Sequence, residues 1–268
     1  MARAIFPIYV ALTLLSFMVA SEAFASESEF APDAESSFEA SLQIGYFSKY
    51  SGEGIIINPD SNLQGELSIG YGGFSAAVFA VFDFTDVLDY QREFEELNYI
   101  LEYEYSVEDL PLVGQITLAI AWTYFDIPRC TNEDYQELSL SLVFDDLPLT
   151  PEFSVNWDYE NDTLWFTASG EHSLPLEKIS DKLSWDSELI LHWGNGRWVE
   201  SIIGLRKNAL TTAVLTTGPC WTFNDYAQVK VFAELSWGLN SQVRDAMRDD
   251  PWNNSCNISG GISFEITW

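Results

Sequence analysis

The chain has 268 residues, with 41 Asp and Glu against 12 Lys and Arg and a formal net charge of −29. So few bases exclude nucleic acid as a partner, because phosphate contacts need Lys and Arg; they also exclude a polybasic hold on anionic lipid heads and fit attraction of cations or basic ligands. Aromatics are abundant, with ten Trp, twelve Tyr and eighteen Phe, and the length allows one large β domain or two smaller ones.

The N-terminus reads as an export signal. Arg3 precedes an apolar stretch over 4–20, and Ala23-Phe24-Ala25 is a small-x-small cleavage site. The expected division is a signal peptide over 1–25, a short polar segment over 26–37 and one β domain over 38–268. No later run approaches the ~18 to 20 apolar residues that a spanning helix needs. A membrane crossing would therefore have to be a closed barrel, since only helices and closed barrels satisfy every backbone group in lipid. Cys130, Cys220 and Cys256 are an odd number for an oxidising compartment. Cys130 and Cys256 fall toward one end of the strands, which leaves room for at most one disulfide; Cys220 falls at the other.

From residue 38 onward the pattern alternates with period two, the signature of strands with one apolar and one polar face. The first strand sets Phe38, Ala40, Leu42, Ile44 and Tyr46 against Glu39, Ser41 and Gln43. The second sets Leu63, Leu67, Ile69 and Tyr71 against Gln64, Glu66 and Ser68, and Gly72-Gly73 turns it into "FSAAVFAVFDF". Leu97, Tyr99, Leu101, Tyr103 and Tyr105 then oppose Asn98, Glu102 and Glu104. Ile116 to Tyr124, Leu138 to Phe144 and Phe153 to Tyr159 continue the alternation, with Glu137, Glu152 and Asp158 on the polar side. Later strands follow at "TLWFTASGEHS", "LSWDSELILHW", "ALTTAVLTT", "YAQVKVFAELSW" and "NISGGISFEITW". They put Glu171, Glu188, Glu234 and Glu265 on the polar face and end on an apolar Phe264, Ile266 and Trp268.

Connections alternate between short turns and longer polar loops, and the strand count is about twelve, with ten as the alternative. The expected fold is all-β: a single transmembrane, antiparallel, up-and-down barrel. Tyr46, Tyr50, Tyr71, Tyr105, Trp122, Tyr124, Trp157, Tyr159, Trp193, Trp237 and Trp268 gather near strand ends, as interfacial girdles do. A secreted β-sandwich is the competing fold, but it would leave edges exposed.

Four stretches carry a family resemblance: "IGYFSKYSGEGIIINPDSNLQGELSIGYGGFSAAVFAVFDF", "FEELNYILEYEYS", "TYFDIPRCTNEDYQELSLSLVFDDLPLTPEFSVNWDYE" and "GGISFEITW". Together they span most of 42–268, more weakly over 175–208, and the whole resembles the TorF-family porins of Gram-negative outer membranes. The resemblance implies an outer-membrane barrel acting as a pore, and no catalytic residues. The pattern departs from that family at "SGEG" (51–54).

With the apolar faces outward, the lumen is acidic: Glu66, Glu102, Glu104, Glu137, Glu152, Asp158, Glu171, Glu188, Glu234 and Glu265. Acid-lined pores concentrate cations and repel anions. The expected function is passive diffusion of small hydrophilic solutes, cations preferred, with a plugged structural or adhesive barrel as the alternative. The terminal Phe264 and Trp268 form the expected signal for the barrel assembly machinery. Outer-membrane lipid is the expected surround. The loop bases Arg197, Arg206, Lys207, Arg244 and Arg248 are placed to meet lipopolysaccharide phosphates. No catalytic residue, metal site or cofactor is expected. His172 and Ser173 are adjacent in a strand and face opposite ways, which denies a triad.

Overall fold

The computed structural model describes residues 38–84, 94–128 and 134–268. The export signal, the polar segment over 26–37 and Cys130 lie outside them. Twelve strands form one closed antiparallel ring: β1 (Phe38–Phe47), β4 (Asn62–Tyr71), β5 (Phe74–Asp83), β6 (Phe94–Leu110), β7 (Gly114–Asp126), β8 (Tyr135–Phe144), β9 (Glu152–Asp158), β10 (Thr163–Pro175), β11 (Leu183–Gly194), β12 (Ala209–Asn224), β13 (Ala227–Gly238) and β14 (Cys256–Thr267). Two short strands, β2 (Tyr50–Gly52) and β3 (Ile55–Asn58), pair only with each other. The fold is the expected all-β barrel with twelve strands rather than ten. A sandwich is ruled out because β1 pairs with both β4 and β14, so the sheet has no edge.

Partners directly opposite in an antiparallel ladder share a face, so the period-two pattern can be followed around the ring. Leu42 faces Ile266 and Leu67, Leu67 faces Val78, and Val78 faces Tyr99. Tyr103 faces Ile120, which faces Leu140, which faces Val155. These residues form an exposed outer band: Leu67, Ile120, Leu140, Phe153, Ile258 and Phe74 are all at least half accessible. A soluble protein would hide side chains of this size. Among the described residues no helix is long and apolar enough to cross a membrane, which has no bearing on a strand-built span.

The last residue is held as firmly as the strand before it. Trp268 exchanges both backbone hydrogen bonds with Ala40, each 2.9 Å. Its indole stays exposed on the outer face, and Phe264 lies on the same face opposite Ile44.

Two helices interrupt the late connections where only loops were expected. α1 (Gly196–Ile203) starts on Asn195, whose side chain accepts from Trp198 N, and ends at Gly204 in the left-handed region. α2 (Ser241–Asp249) starts on Asn240, which accepts from Val243 N. Each buries a short apolar stripe, Trp198 and Val199 in α1, Val243 and Met247 in α2. These stripes join Ile55, Trp165 and Ala209 in the one apolar cluster of the described residues that packs away from solvent. Trp165 stacks on Trp198 with ring centroids 5.7 Å apart.

Cys220 and Cys256 are free thiols. Cys256 opens β14 opposite the outward Trp237, on the band rather than in the loop; Cys130, placed toward the same end, lies outside the described residues.

Gly218 marks a close approach of β12 and β13. A Cβ there would lie 2.0 Å from Val231 O and 2.8 Å from Phe232 Cα, both backbone atoms. Gly218→Ala should force β12 away from β13 at an overpacking cost of about 1–3 kcal/mol. The measurement is the urea midpoint for loss of the heat-resistant, fast-migrating gel band. A lowered midpoint is expected; an unchanged one means the strands have slack at this point.

Candidate functional site

The interior of the ring is the candidate site. All ten predicted acids fall on the face opposite the outer band. Glu137 sits directly across from Asp158, and Glu171 across from Glu188. Glu66 and Glu265 flank Gln43 from either side. Glu102 and Glu104 face Ala121 and Ala119, Glu152 faces Val143 and Ser169, and Glu234 faces Thr216 and Ser259. Like charges placed opposite one another weaken a ladder, so these rows are not there for stability. Lys230 is the sole Lys or Arg in the twelve strands, and it shares the inner face opposite Ser263.

The acids are not equivalent. Glu104 and Glu171 are exposed to the interior space, whereas Glu137 and Asp158 are buried. Asp158 works as a turn cap: it accepts from Glu160 N and Asn161 N, both 3.0 Å, and from Asn161 Nδ2 at 2.7 Å. Glu234 accepts from Ser51 Oγ and Ser259 Oγ, and Glu265 from Gln228 Nε2. Two buried polar atoms on this inner face, Asn98 Oδ1 and His192 Nδ1, have no partner among the described residues.

Sequence reasoning missed what crosses this space. The stretch 51–62 reads as an outer loop; instead β2 and β3 fold inward as a hairpin. Glu53 and Gly54 both have positive φ, 48° and 80°, the geometry of a two-residue hairpin turn. At the tip, Glu53 O accepts from Thr212 Oγ1 (2.6 Å) and Gly54 O from Ser236 Oγ (2.6 Å) and Asn257 Nδ2 (3.4 Å). At the base, Asn58 Nδ2 donates to Asp83 and Glu95, each 3.2 Å, and Tyr50 Oη donates to Glu96 at 2.7 Å. β12 and β6 lie six strands apart either way round the ring, so the hairpin runs from one wall to the other. Asn253, in the connection after α2, clamps its middle: Oδ1 accepts from Ile56 N (2.8 Å) and Nδ2 donates to Ile56 O (3.1 Å).

Tyr50 therefore leaves the aromatic girdle in which its position near a strand end had placed it. It is buried, and burial together with the facing Glu96 carboxylate pushes its phenol well above the usual range, so it stays a donor. Glu95 and Glu96 were missed because strict alternation sends neighbours to opposite faces. A bulge between β5 and β6 shifts the register at Val81/Phe82 and lets both carboxylates reach the hairpin. The signal for the hairpin itself was Glu53-Gly54 between two short β-rich runs. Among the described residues no group of three or more His, Cys, Asp or Glu is arranged to hold a metal ion.

No protein-family model matches the chain, and no curated protein matches it by sequence; the resemblance to TorF-family porins thus rests on the stretches quoted above. Solved structures align with most of the chain at low identity. An outer-membrane channel from Pseudomonas putida F1 is 11% identical with a TM-score of 0.46, over 90% of this chain and 100% of that one. The outer-membrane protein Omp33 of Acinetobacter baumannii is 8% identical with a TM-score of 0.41, over 87% and 98%. The NanC porin is 10% identical with a TM-score of 0.45, over 85% and 98%.

Two outcomes follow from the hairpin. A Cβ on Gly54 would sit 2.8 Å from Val214 Cγ2 and 3.0 Å from Ser236 Cβ, at a φ that disfavours a side chain. Gly54→Val should release the tip from β12 and β13, read as new protease cleavage between residues 49 and 61 while the barrel keeps its heat-resistant band. Uncleaved hairpin in that variant contradicts the docking. Glu53 supplies a pH dependence. Burial first, then the Glu137 and Glu96 carboxylates, push its carboxyl up to about 7. A raised acid favours the docked state fully below its free value of about 4.3, and that advantage is lost as pH rises through about 7. A spin label at Ser51→Cys should be more immobile at pH 5 than at pH 8, and Glu53→Gln should flatten the difference.

Proposed function

We propose that the chain is an outer-membrane channel for passive diffusion of small hydrophilic solutes, with cations preferred. The observation that supports this reading most is the division of the barrel wall. The outer face carries a continuous exposed apolar band, and the inner face carries ten carboxylates against Lys230 alone. A band of this kind is stable against lipid tails and unstable in water. An inner wall of that sign raises the local concentration of cations and excludes anions by charge alone. The unpartnered Asn98 Oδ1 and His192 Nδ1 favour a hydrated interior over a dry one, since buried polar groups are normally satisfied by protein or water.

On this reading the β2–β3 hairpin is the constriction, and Glu53 at its tip is the carboxylate a permeating ion meets most closely. No chemistry is involved: polar wall groups replace part of the solute's hydration and the acids bias its charge. Lipid surrounds the band, and the terminal Phe264 and Trp268 serve as the signal for the assembly machinery.

The plugged, structural barrel is a second reading with an observation of its own. The hairpin, α1 and α2 share one apolar cluster with Trp165 from the inner wall, and such a cluster closes part of the opening. Planar-bilayer recording of the refolded protein under a salt gradient separates the two. The channel reading expects discrete steps with a cation-selective reversal potential, shifted toward zero by Glu102→Gln, Glu152→Gln and Glu188→Gln together. Insertion without any conductance leaves the plugged barrel, and anion selectivity contradicts the role given to the acids.

A further inference from the structure

In a chain this acidic, bases that gather at one place call for a reason. Five of the Lys and Arg among the described residues lie in the two helical connections: Arg197, Arg206, Lys207, Arg244 and Arg248. Arg244 and Arg248 turn to groups of their own connection, Arg244 to Gly238 O and Arg248 to Asp245 and Ser255. Arg206 pairs loosely with Glu200 of its own connection, whereas Arg197 and Lys207 reach outside theirs, to Asp162 and Gln242. With Asp162, Asn195, Gly196 and Asn208 these three bases line a cavity of about 350 Å³.

We propose that this cavity binds a phosphate group of lipopolysaccharide. The lining holds three cationic side chains and one anionic one, the reverse of the chain's balance of 12 Lys and Arg against 41 Asp and Glu. The cations are only partly committed. Arg197 meets Asp162 at 2.7 Å and Arg206 meets Glu200 at 3.6 Å, but all four side chains are about half exposed or more. A guanidinium with one carboxylate partner keeps donors for a second oxyanion. Lys207 is steered by Gln242 of α2, which ties the two connections together and holds the third charge in place. The frame is built: Asn195 caps α1 and reaches Asp162 O at 3.3 Å, and Asn208 Oδ1 accepts from Gly196 N.

Location selects the lipid over a soluble anion. The cavity residues sit immediately beyond the ends of β10, β11 and β12. The outward residues there are Phe166, Trp193 and Leu210, paired in one row, with the Phe166 and Trp193 rings 5.2 Å apart. With Leu164 and the outward Trp157 opposite it, one pair nearer the strand ends, they close the apolar band on this side, so the charges just past them lie at headgroup level. This inference rests on the outer-membrane reading above. A strongly negative barrel would otherwise repel a leaflet crowded with phosphate, and a local basic seat offsets that repulsion.

The test uses the refolded protein in detergent with three probes: bisphosphorylated lipid A, its dephosphorylated form and inorganic phosphate. The wild type should bind the phosphorylated lipid roughly tenfold or more tightly than the dephosphorylated one, and Arg197→Gln/Arg206→Gln/Lys207→Gln should reduce that preference below about threefold. Inorganic phosphate at millimolar concentration should not compete. Equal binding of both lipids, or a preference that survives the triple substitution, overturns the proposal. Competition by micromolar inorganic phosphate overturns the lipid assignment in favour of a soluble anion. If the triple variant loses its heat-resistant band, Arg206→Gln alone is used, because its side chain is the most exposed of the cations in ion pairs. Failure of the channel reading is seen separately, as loss of conductance in the wild type without added lipid A.

Discussion

The closing of the ring between β1 and β14 is the constraint on which the other features depend. Once β1 is paired on both sides, every strand of the ring has two partners, and outward side chains away from the strand ends share their rows with outward neighbours. A slip of one residue anywhere would turn apolar side chains inward and carboxylates outward along that strand. The register is therefore enforced by the same alternation that separates lipid-compatible from water-compatible surface. The backbone bonds between Trp268 and Ala40 extend that closure to the last residue.

A twelve-strand ring is wide enough to leave interior space that strand side chains alone do not fill. Here the chain answers with polar structure rather than a greasy core. The hairpin is bound to opposite walls by hydrogen bonds involving Thr212, Ser236, Asn257, Asn253, Tyr50 and Asn58, with Ile55 adding an apolar contact. Each of these hydrogen bonds is worth little net while intact and costs more if one partner is lost. Such an element is held in position yet remains responsive to charge, and Glu53 is one group through which pH reaches it. The apolar cluster of Trp165, Trp198, Val243 and Met247 anchors the same region from the rim.

Much of the wall was legible in the sequence because a strand's period of two leaves a plain record in residues such as Leu138, Leu140 and Leu142 against Glu137, Ser139 and Ser141. The inward placement of the ten acids follows from the same rule. What escaped it were departures from the period. The bulge beside Glu95 and Glu96 brings two consecutive residues to the hairpin, which no alternation rule foresees. The hairpin hid behind its polar composition: Ser51, Asn58 and Asp60 look like solvent-facing loop until their partners on distant strands are known. Helix α1 was signalled by Asn195 at its start, Gly204 at its end and Trp198, Val199, Ile202 and Ile203 on one side, but eight residues within a long connection are easily read as loop. Tyr50 was misplaced because nearness to a strand end does not say which way the chain turns next.

The central claim is that solutes pass through an acid-lined ring at a constriction made by the hairpin. The most direct measurement is single-channel conductance of a variant in which residues 50–60 are replaced by a short Gly-Ser linker, compared with the wild type in the same bilayer. The account predicts larger current steps in the variant with cation preference retained, because the wall acids remain. Identical steps in the two proteins, or silence in both despite insertion, would contradict it.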